Sequence, residues 1–205
     1  MKVAIDGPAA AGKTTLARAL AQKLGFLFVP TGAMYRAAAL AVQRGCNLQT
    51  GEITVGPEGT VFLNGENVTA QLSHPSLDEL SSALAVDEAV RARLVALQRQ
   101  IAQGCDVVME GRDIGTVVLP HAEVKIFLWA TVEERARRRW RDQGGHYEEV
   151  LAAIQARDAR DSTRAHSPLR PAPDAVILDT TDRSEHEVLQ QALELVEERR
   201  ARLAR

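Results

Sequence analysis

The stretch "VAIDGPAAAGKTTL", residues 3–16, constrains the fold more than any other part of the chain. "VAID" is a short apolar run that Gly7 ends, the pattern of a strand buried on both faces. "TTLARALAQKL" (14–24) has helical periodicity, with Gly25 placed as its C-terminal cap. Between them, "GPAAAGKT" (7–14) satisfies G-x-x-x-x-G-K-[ST] in full and in the required setting, strand before and helix after. Gly7 and Gly12 let the backbone bend until successive N–H groups face one concavity. Pro8, Ala9, Ala10 and Ala11 leave little side chain to keep a polyphosphate away, and the helix adds the positive end of its dipole. Lys13 supplies a point charge for the β- and γ-phosphates, the Thr14 hydroxyl can ligate Mg²⁺, and Thr15 completes the set in the first helical turn. The loop implies ATP or a related triphosphate as co-substrate, with Mg²⁺.

Further strands are expected at 26–29, 105–110, 124–130 and 175–179, separated by helices at 32–45, 76–86, 87–103, 132–142 and 147–164, with a last helix ending near residue 204. Ser76 and Asp87 are candidate N-caps, and Thr131 with Glu134 and Ser184 with Glu187 read as capping boxes. Residues 52–70 differ: β-branched residues alternate with the turn signals "PEG" and "NGE", a small β-rich excursion. Alternating strands and helices mean α/β architecture, a parallel sheet of five strands covered by helices on both faces, the three-layer sandwich of P-loop proteins. Ligands of such sheets sit beyond the strands' carboxyl ends.

Several classes are disfavoured. No apolar run approaches the ~18 residues of a membrane span, and "MKVAIDGP" enters a strand pattern at once, so no membrane anchor or signal peptide is expected. Cys46 and Cys105 lack metal-ligand spacing and read as reduced thiols of a cytoplasmic protein. A net charge of −2 and 4% aromatic residues argue against a nucleic-acid partner. No Asn is followed by lysine as a guanine-reading N-K-x-D segment requires, which argues against a regulatory GTPase. Yet of 25 basic residues 21 are arginine, and nine of those lie between Arg135 and Arg170. In "RDARDSTR" (157–164), residues 157, 161 and 164 share one helical face. That pattern suits either a solvated face laced with Arg–Asp pairs or a clamp over a small polyanion.

The other strand ends point to the clamp. After the second strand, "PTGAMYR" sets Thr31 at a helix N-terminus with Tyr35 and Arg36 one turn in, a second anion seat. After the third, "EGRDIGTV" places Glu110 where P-loop enzymes hold a carboxylate near Mg²⁺, and Arg112 beside it can meet a phosphate in transit.

With "FLNGENVT", "MEGRDIGTVVLPHAEVKIFLWA", "ERARRR", "RDARDSTRAHSPLRPAPDA" and "ILDTT", these pieces resemble the bacterial cytidylate kinases, nucleoside-monophosphate kinases, over nearly the whole chain. The resemblance implies one kinase domain, with a core of about 1–46, 100–131 and 168–205, a monophosphate-binding insert at about 47–99 and a mobile lid at about 132–167. It implies transfer from ATP to CMP or dCMP. Thr31, Tyr35 and Arg36 would meet the acceptor, Ser82 and Arg91 the cytosine, Arg112 and Asp113 the acceptor phosphate and base, Arg157 and Asp161 the ribose, and Arg164 the acceptor again. Lys13, Arg112, Arg157 and Arg160 would form the catalytic set, Thr14 and Glu110 the metal pair, and Arg138 and Arg139 further lid candidates. Asp158 and Asp161 are expected to hold the guanidiniums on their own helix until both nucleotides recruit them. Glu110 departs from the Asp usual in the family at that position. A monomer is expected. A kinase for UMP, AMP or shikimate and, from another class, a triphosphate-dependent switch are the remaining alternatives.

Overall fold

The computed structural model describes residues 1–47, 51–163 and 167–204. In chain order it runs β1 (Lys2–Asp6), α1 (Lys13–Leu24), β2 (Leu27–Pro30), α2 (Thr31–Gln43), β3 (Ile53–Val55), β4 (Val61–Leu63), β5 (Glu66–Asn67), α3 (Ser76–Leu84), α4 (Glu88–Gly104), β6 (Val107–Gly111), β7 (Val124–Trp129), α5 (Val132–Gln143), α6 (Tyr147–Thr163), β8 (Val176–Asp179) and α7 (Glu185–Leu203). Five strands form one parallel sheet in the order β2-β6-β1-β7-β8.

The period-two alternation of the strands divides the core between the sheet's faces. Val3 and Ile5 pack with Leu16 and Leu20 of α1, Ile126 and Leu128 of β7 and Val188 and Val196 of α7. Ala4 points the other way, joining Val29, Met109, Met34 of α2 and Leu94 of α4. The "AAALA" run of α2 is buried at every position, so small side chains let that helix be enclosed on all sides. With few aromatics available, aliphatic interdigitation fills both layers.

The excursion is a three-stranded antiparallel sheet, β3-β4-β5, whose β4–β5 hairpin turns on Asn64 (φ 51°) and Gly65 (φ 81°). That is the backbone an Asn-Gly hairpin demands. Helices α5 and α6 are of another kind: they pack on each other, and their buried residues are only Arg135 and Ala136 in one and Ile154 and Asp161 in the other. No helix among the described residues is long and apolar enough to cross a membrane.

Two local expectations are corrected. Ser76 does not cap α3 but is its first residue, with its hydroxyl 2.8 Å from His74 Nδ1. Thr131 accepts from the Glu134 N–H at 3.3 Å without the reciprocal bond, because the Glu134 carboxylate is taken by Arg137 and Arg138; Ser184 and Glu187 do form the full box.

Candidate active site

Strand register sets the site. Asp6 lies opposite Gly111 and Pro30 opposite Glu110, so β1, β2 and β6 end level with one another. The residues that follow them meet at one rim: the glycine loop, the start of α2, and Arg112 with Asp113.

In the loop, Gly7 has φ 151°, and a Cβ there would strike the Leu128 carbonyl oxygen, so only glycine fits. Lys13 is buried, its Nζ donating to the Pro8 carbonyl at 2.6 Å. Burial, with Arg112 as the next cause, pushes its pKa down to about 7, so the site favours an anion that would restore its charge. The Thr14 hydroxyl donates to Glu110 Oε1 at 3.2 Å, and Glu110 is buried.

Two clefts open on either side of Lys13 and Thr14. The larger, about 1050 Å³, runs past Ala10, Ala11, Gly12 and Thr15 toward Arg138, Thr180 and the start of α7. There Arg138 donates to Thr180 Oγ1 at 3.0 Å and pairs with Glu134. The smaller, about 420 Å³, is lined by Ala9, Thr31, Tyr35, Arg36, Ser82, Arg91, Arg112, Asp113, Arg139, Arg157 and Asp161. Nearly all acceptor candidates therefore converge on one cavity, from five elements.

Their bonding is specific. Arg36 pairs with Asp78 and donates to the Leu72 carbonyl at 2.8 Å. Arg91 pairs with Asp113 and donates to Ser167 Oγ at 2.8 Å and the Tyr35 hydroxyl at 3.4 Å. Arg112 Nε donates to Asp161 Oδ2 at 2.9 Å. Ser82 donates to the Asp78 carbonyl at 2.9 Å. Burial, then the neighbouring Arg112, lowers Arg157 to about 10.

Four expectations need comment. The Thr31 hydroxyl is not a free donor at a helix N-terminus: it is buried as the first residue of α2 and donates to the Glu110 carbonyl at 2.7 Å. Arg160 is exposed and lines neither cleft, one helical step away from the face that carries Arg157 and Asp161. Arg164 lies outside the described residues. Asp158 and Asp161 also pair across elements, with Arg135 of α5 and with Arg112, while Asp161 supports the charge of Arg157 on its own helix.

Residues that pattern reasoning passed over hold the rim together. Arg135, buried, pairs with Asp158 at 2.7 Å and donates to the Ala9 carbonyl at 3.2 Å, tying α5 and α6 to the glycine loop. Asp78 pairs with Arg36 and, at 3.3 Å, with Arg139. In sequence the first is one arginine among five in its helix and the second an ordinary acid in a first helical turn; only their burial or partners mark them.

A glycine loop wrapped on a helix start, beside a second anion cleft at the carboxyl rim of a parallel sheet, defines a P-loop kinase of small molecules. The fold is shared with a gluconokinase from Sinorhizobium meliloti (TM-score 0.52, 16% identity, covering 99% of this chain and 93% of that one). The family model described as cytidylate kinase matches residues 3–198. Cytidylate kinases of Solibacter usitatus and Limosilactobacillus fermentum are each 46% identical, covering 96% and 93% of this chain and 92% and 93% of theirs. That of Pelotomaculum thermopropionicum is 49% identical over 86% of this chain and 87% of its own. The chain belongs to the cytidylate kinase family.

Proposed function

We infer that this chain transfers the γ-phosphate of ATP to CMP or dCMP, giving ADP and CDP or dCDP. The observation that carries this is the meeting of two clefts at Lys13 and Thr14, one bordered by the glycine loop and the other by Arg112 and Arg157. Such a junction brings two phosphates end to end.

Transfer of this kind needs alignment and charge balance more than covalent help. The acceptor oxygen of a nucleoside monophosphate is already ionised at neutral pH, so no strong base is required. Lys13 reaches the bridging region of the donor, while Arg112 and Arg157 meet the charge that spreads over the γ-oxygens. Arg36 orients the acceptor phosphate, Arg91, Asp113 and Ser82 the base side, and Asp161 the ribose. Arg138 faces the donor cleft and Arg139 the acceptor. Exposed Arg160 is the lid arginine placed to join only by a movement of α6.

Thr14 and Glu110 are two hard oxygen donors 3.2 Å apart where the clefts join. Mg²⁺ takes one or two protein oxygens and fills its remaining positions with water and phosphate, so the pair fits it. When bound there, the ion would neutralise the β- and γ-oxygens of ATP. In this reading residues 47–99 serve the monophosphate, 132–167 act as the lid, and the enzyme works as a cytoplasmic monomer. A coupled assay tests it: ADP should form only when a nucleoside monophosphate is added, fastest with CMP or dCMP in a panel with UMP, AMP and GMP. Equal ADP release without any acceptor would reject it.

A further inference from the structure

Asp6, the last residue of β1, is accounted for neither by the donor loop that follows it nor by the acceptor contacts. It is 4% exposed. Its Oδ1 accepts from the Ile114 N–H at 2.8 Å and its Oδ2 from the Gly115 N–H at 2.7 Å, across more than 100 residues of sequence. Ile114 and Gly115 open the single π-type turn Ile114–Val118 that follows Arg112 and Asp113.

That turn is braced on other sides as well. Arg99 of α4 donates to the Val117 and Val118 carbonyls at 2.7 and 3.0 Å. Lys125 of β7 lies beneath it and donates to the Pro120 carbonyl at 2.6 Å. A Cβ on Gly115 would come within 3.2 Å of Lys125 Cδ, a tight contact, and 3.4 Å of Asp6 Oδ2, an ordinary one, so the space beside the amide ends at about the size of a methyl group. Burial pushes the Asp6 carboxyl up to about 6 in spite of two amide bonds, with Asp113 raising it and Lys13 lowering it. The turn's own bonds, Val118 N–H to the Asp113 carbonyl at 3.2 Å and Leu119 N–H to the Ile114 carbonyl at 2.7 Å, close it on itself but do not tie it to the sheet. Its position depends on these side chains.

We propose that Asp6 is a positioning residue for the acceptor: by clamping the Ile114 and Gly115 amides, it fixes the turn that presents Arg112 and Asp113 to the nucleoside monophosphate. Because Asp6 directly precedes Gly7, the same carboxylate locks the acceptor turn to the strand that carries the donor loop. Without the clamp the turn samples other arrangements, and the acceptor must select the competent one. The effect falls on acceptor affinity. Donor affinity stays, since Lys13 and the loop amides keep their own supports.

This inference rests on assigning the Arg112 cleft to the acceptor, and CMP-dependent ADP formation by the wild-type enzyme checks that assignment separately. The test uses the full chain with two variants. Asp6→Asn turns an NH₂ toward the amides; Gly115→Val leaves Asp6 intact, and its branches, reaching beyond the Cβ position into Lys125 and Asp6, push the turn away from the carboxylate. Calorimetric titrations with CMP alone and with ATP alone are paired with steady-state kinetics. The expected result is a rise of about tenfold in the CMP Kd and KM for both variants, the loss of a hydrogen bond to a charged group. The ATP Kd should stay within about twofold, and kcat at saturating CMP should largely recover, because bound acceptor re-orders the turn. A merely structural Asp6 would lower the melting temperature and leave both affinities of the folded fraction unchanged, which overturns the proposal. So does a fall in ATP affinity as large as that for CMP, or a loss confined to Asp6→Asn. Should Asp6→Asn fail to fold, Gly115→Val decides between these outcomes.

Discussion

Asp6 also makes the thermodynamic cost of the clamp measurable. Its carboxyl is raised from 3.8 to about 6, first by burial, while the Gly115 and Ile114 amides and Lys13 oppose the shift and Asp113 adds to it. Glu110 sits on the neighbouring strand and the stem of Lys125 lies against the same turn. For a carboxyl whose folded value exceeds its unfolded one, the unfolded chain gives up its proton first as pH rises. Stability is therefore greatest below both values and falls between them, with the loss complete once pH passes the folded value. Between about pH 4 and about pH 6.5, the linkage integral for 3.8 and about 6 comes to about 2 kcal/mol. The window stops short of the midpoint of Lys13, lowered to about 7. The assay is urea unfolding of wild type and Asp6→Asn at both ends of that window. Titrating groups that do not feel Asp6 are common to both proteins and cancel in the difference; Asp113 and Lys13, the smallest causes of the Asp6 shift, add a minor remainder. Wild type should lose about 2 kcal/mol relative to the variant as pH rises through the window. A difference that is flat, or that grows in favour of wild type, would show that Asp6 is not a buried, costly carboxylate and would refute the reasoning.

Other substitutions give sharper but narrower outcomes. Lys13→Ala should abolish phosphoryl transfer with the circular dichroism and melting curve of a folded protein; near-normal turnover would remove the glycine loop from the chemistry. Arg112→Ala should raise the barrier by on the order of 3–4 kcal/mol, read as a fall in kcat, since Arg112 is aimed at developing charge; a change in KM alone would make it a binding residue. Asp161→Ala should impair CMP and dCMP unequally if its carboxylate reads ribose hydroxyls, so parallel losses in kcat/KM would take it off the ribose. Arg135→Met keeps the stem but strips Asp158 and the Ala9 carbonyl of a donor. Its expected stability loss is about 1–3 kcal/mol, with a raised KM for ATP; an unchanged KM would confine Arg135 to structure.

The parts of this molecule that local chemistry dictates were legible in the sequence. The glycine loop is one, since its phosphate cradle is built from consecutive residues. The β4–β5 hairpin is another, written in Asn64-Gly65. The five parallel strands follow from apolar runs alternating with helices. What stayed hidden is long-range. The Asp6 clamp spans 109 residues to Gly115, the Arg139–Asp78 bond 61, and the Arg135 bond to the glycine loop 126. No spacing rule reaches so far. The π-type turn was invisible for a related reason: "IGTVV" reads as strand by composition, and the side chains that grip its amides and carbonyls from elsewhere in the chain help hold the backbone in a turn. The segment "RDARDSTR" shows the same limit. Helical spacing correctly placed Arg157 and Asp161 on one face, and Asp161 does support Arg157 there, but no spacing shows that the carboxylates of this helix also reach to α5 and to the end of β6.

Those crossed pairs bear on how the site takes its ligands. Arg36 and Arg139 share Asp78, Arg91 has Asp113, Arg112 has Asp161 and Arg135 has Asp158, and in each case the two partners come from different elements. Such a ring keeps closely packed guanidiniums from repelling one another, and it fixes their forks in place. A phosphate entering it exchanges partners rather than collecting free cations, so each ion pair returns much of its Coulomb energy and the net gain is modest. Arg157 is the exception. Among the described residues its Nε is buried without a hydrogen-bond partner, and burial beside Arg112 disfavours its charged form. An anion placed there relieves a cost that burial already imposes, so its gain is larger than at the paired arginines. The carboxylate where the clefts join, Glu110, accepts from the Thr14 hydroxyl and pairs with no arginine among the described residues. The least compensated guanidinium thus lies beside Arg112, where the proposed reaction puts the γ-phosphate, and that asymmetry favours the transferring group over either nucleotide at rest.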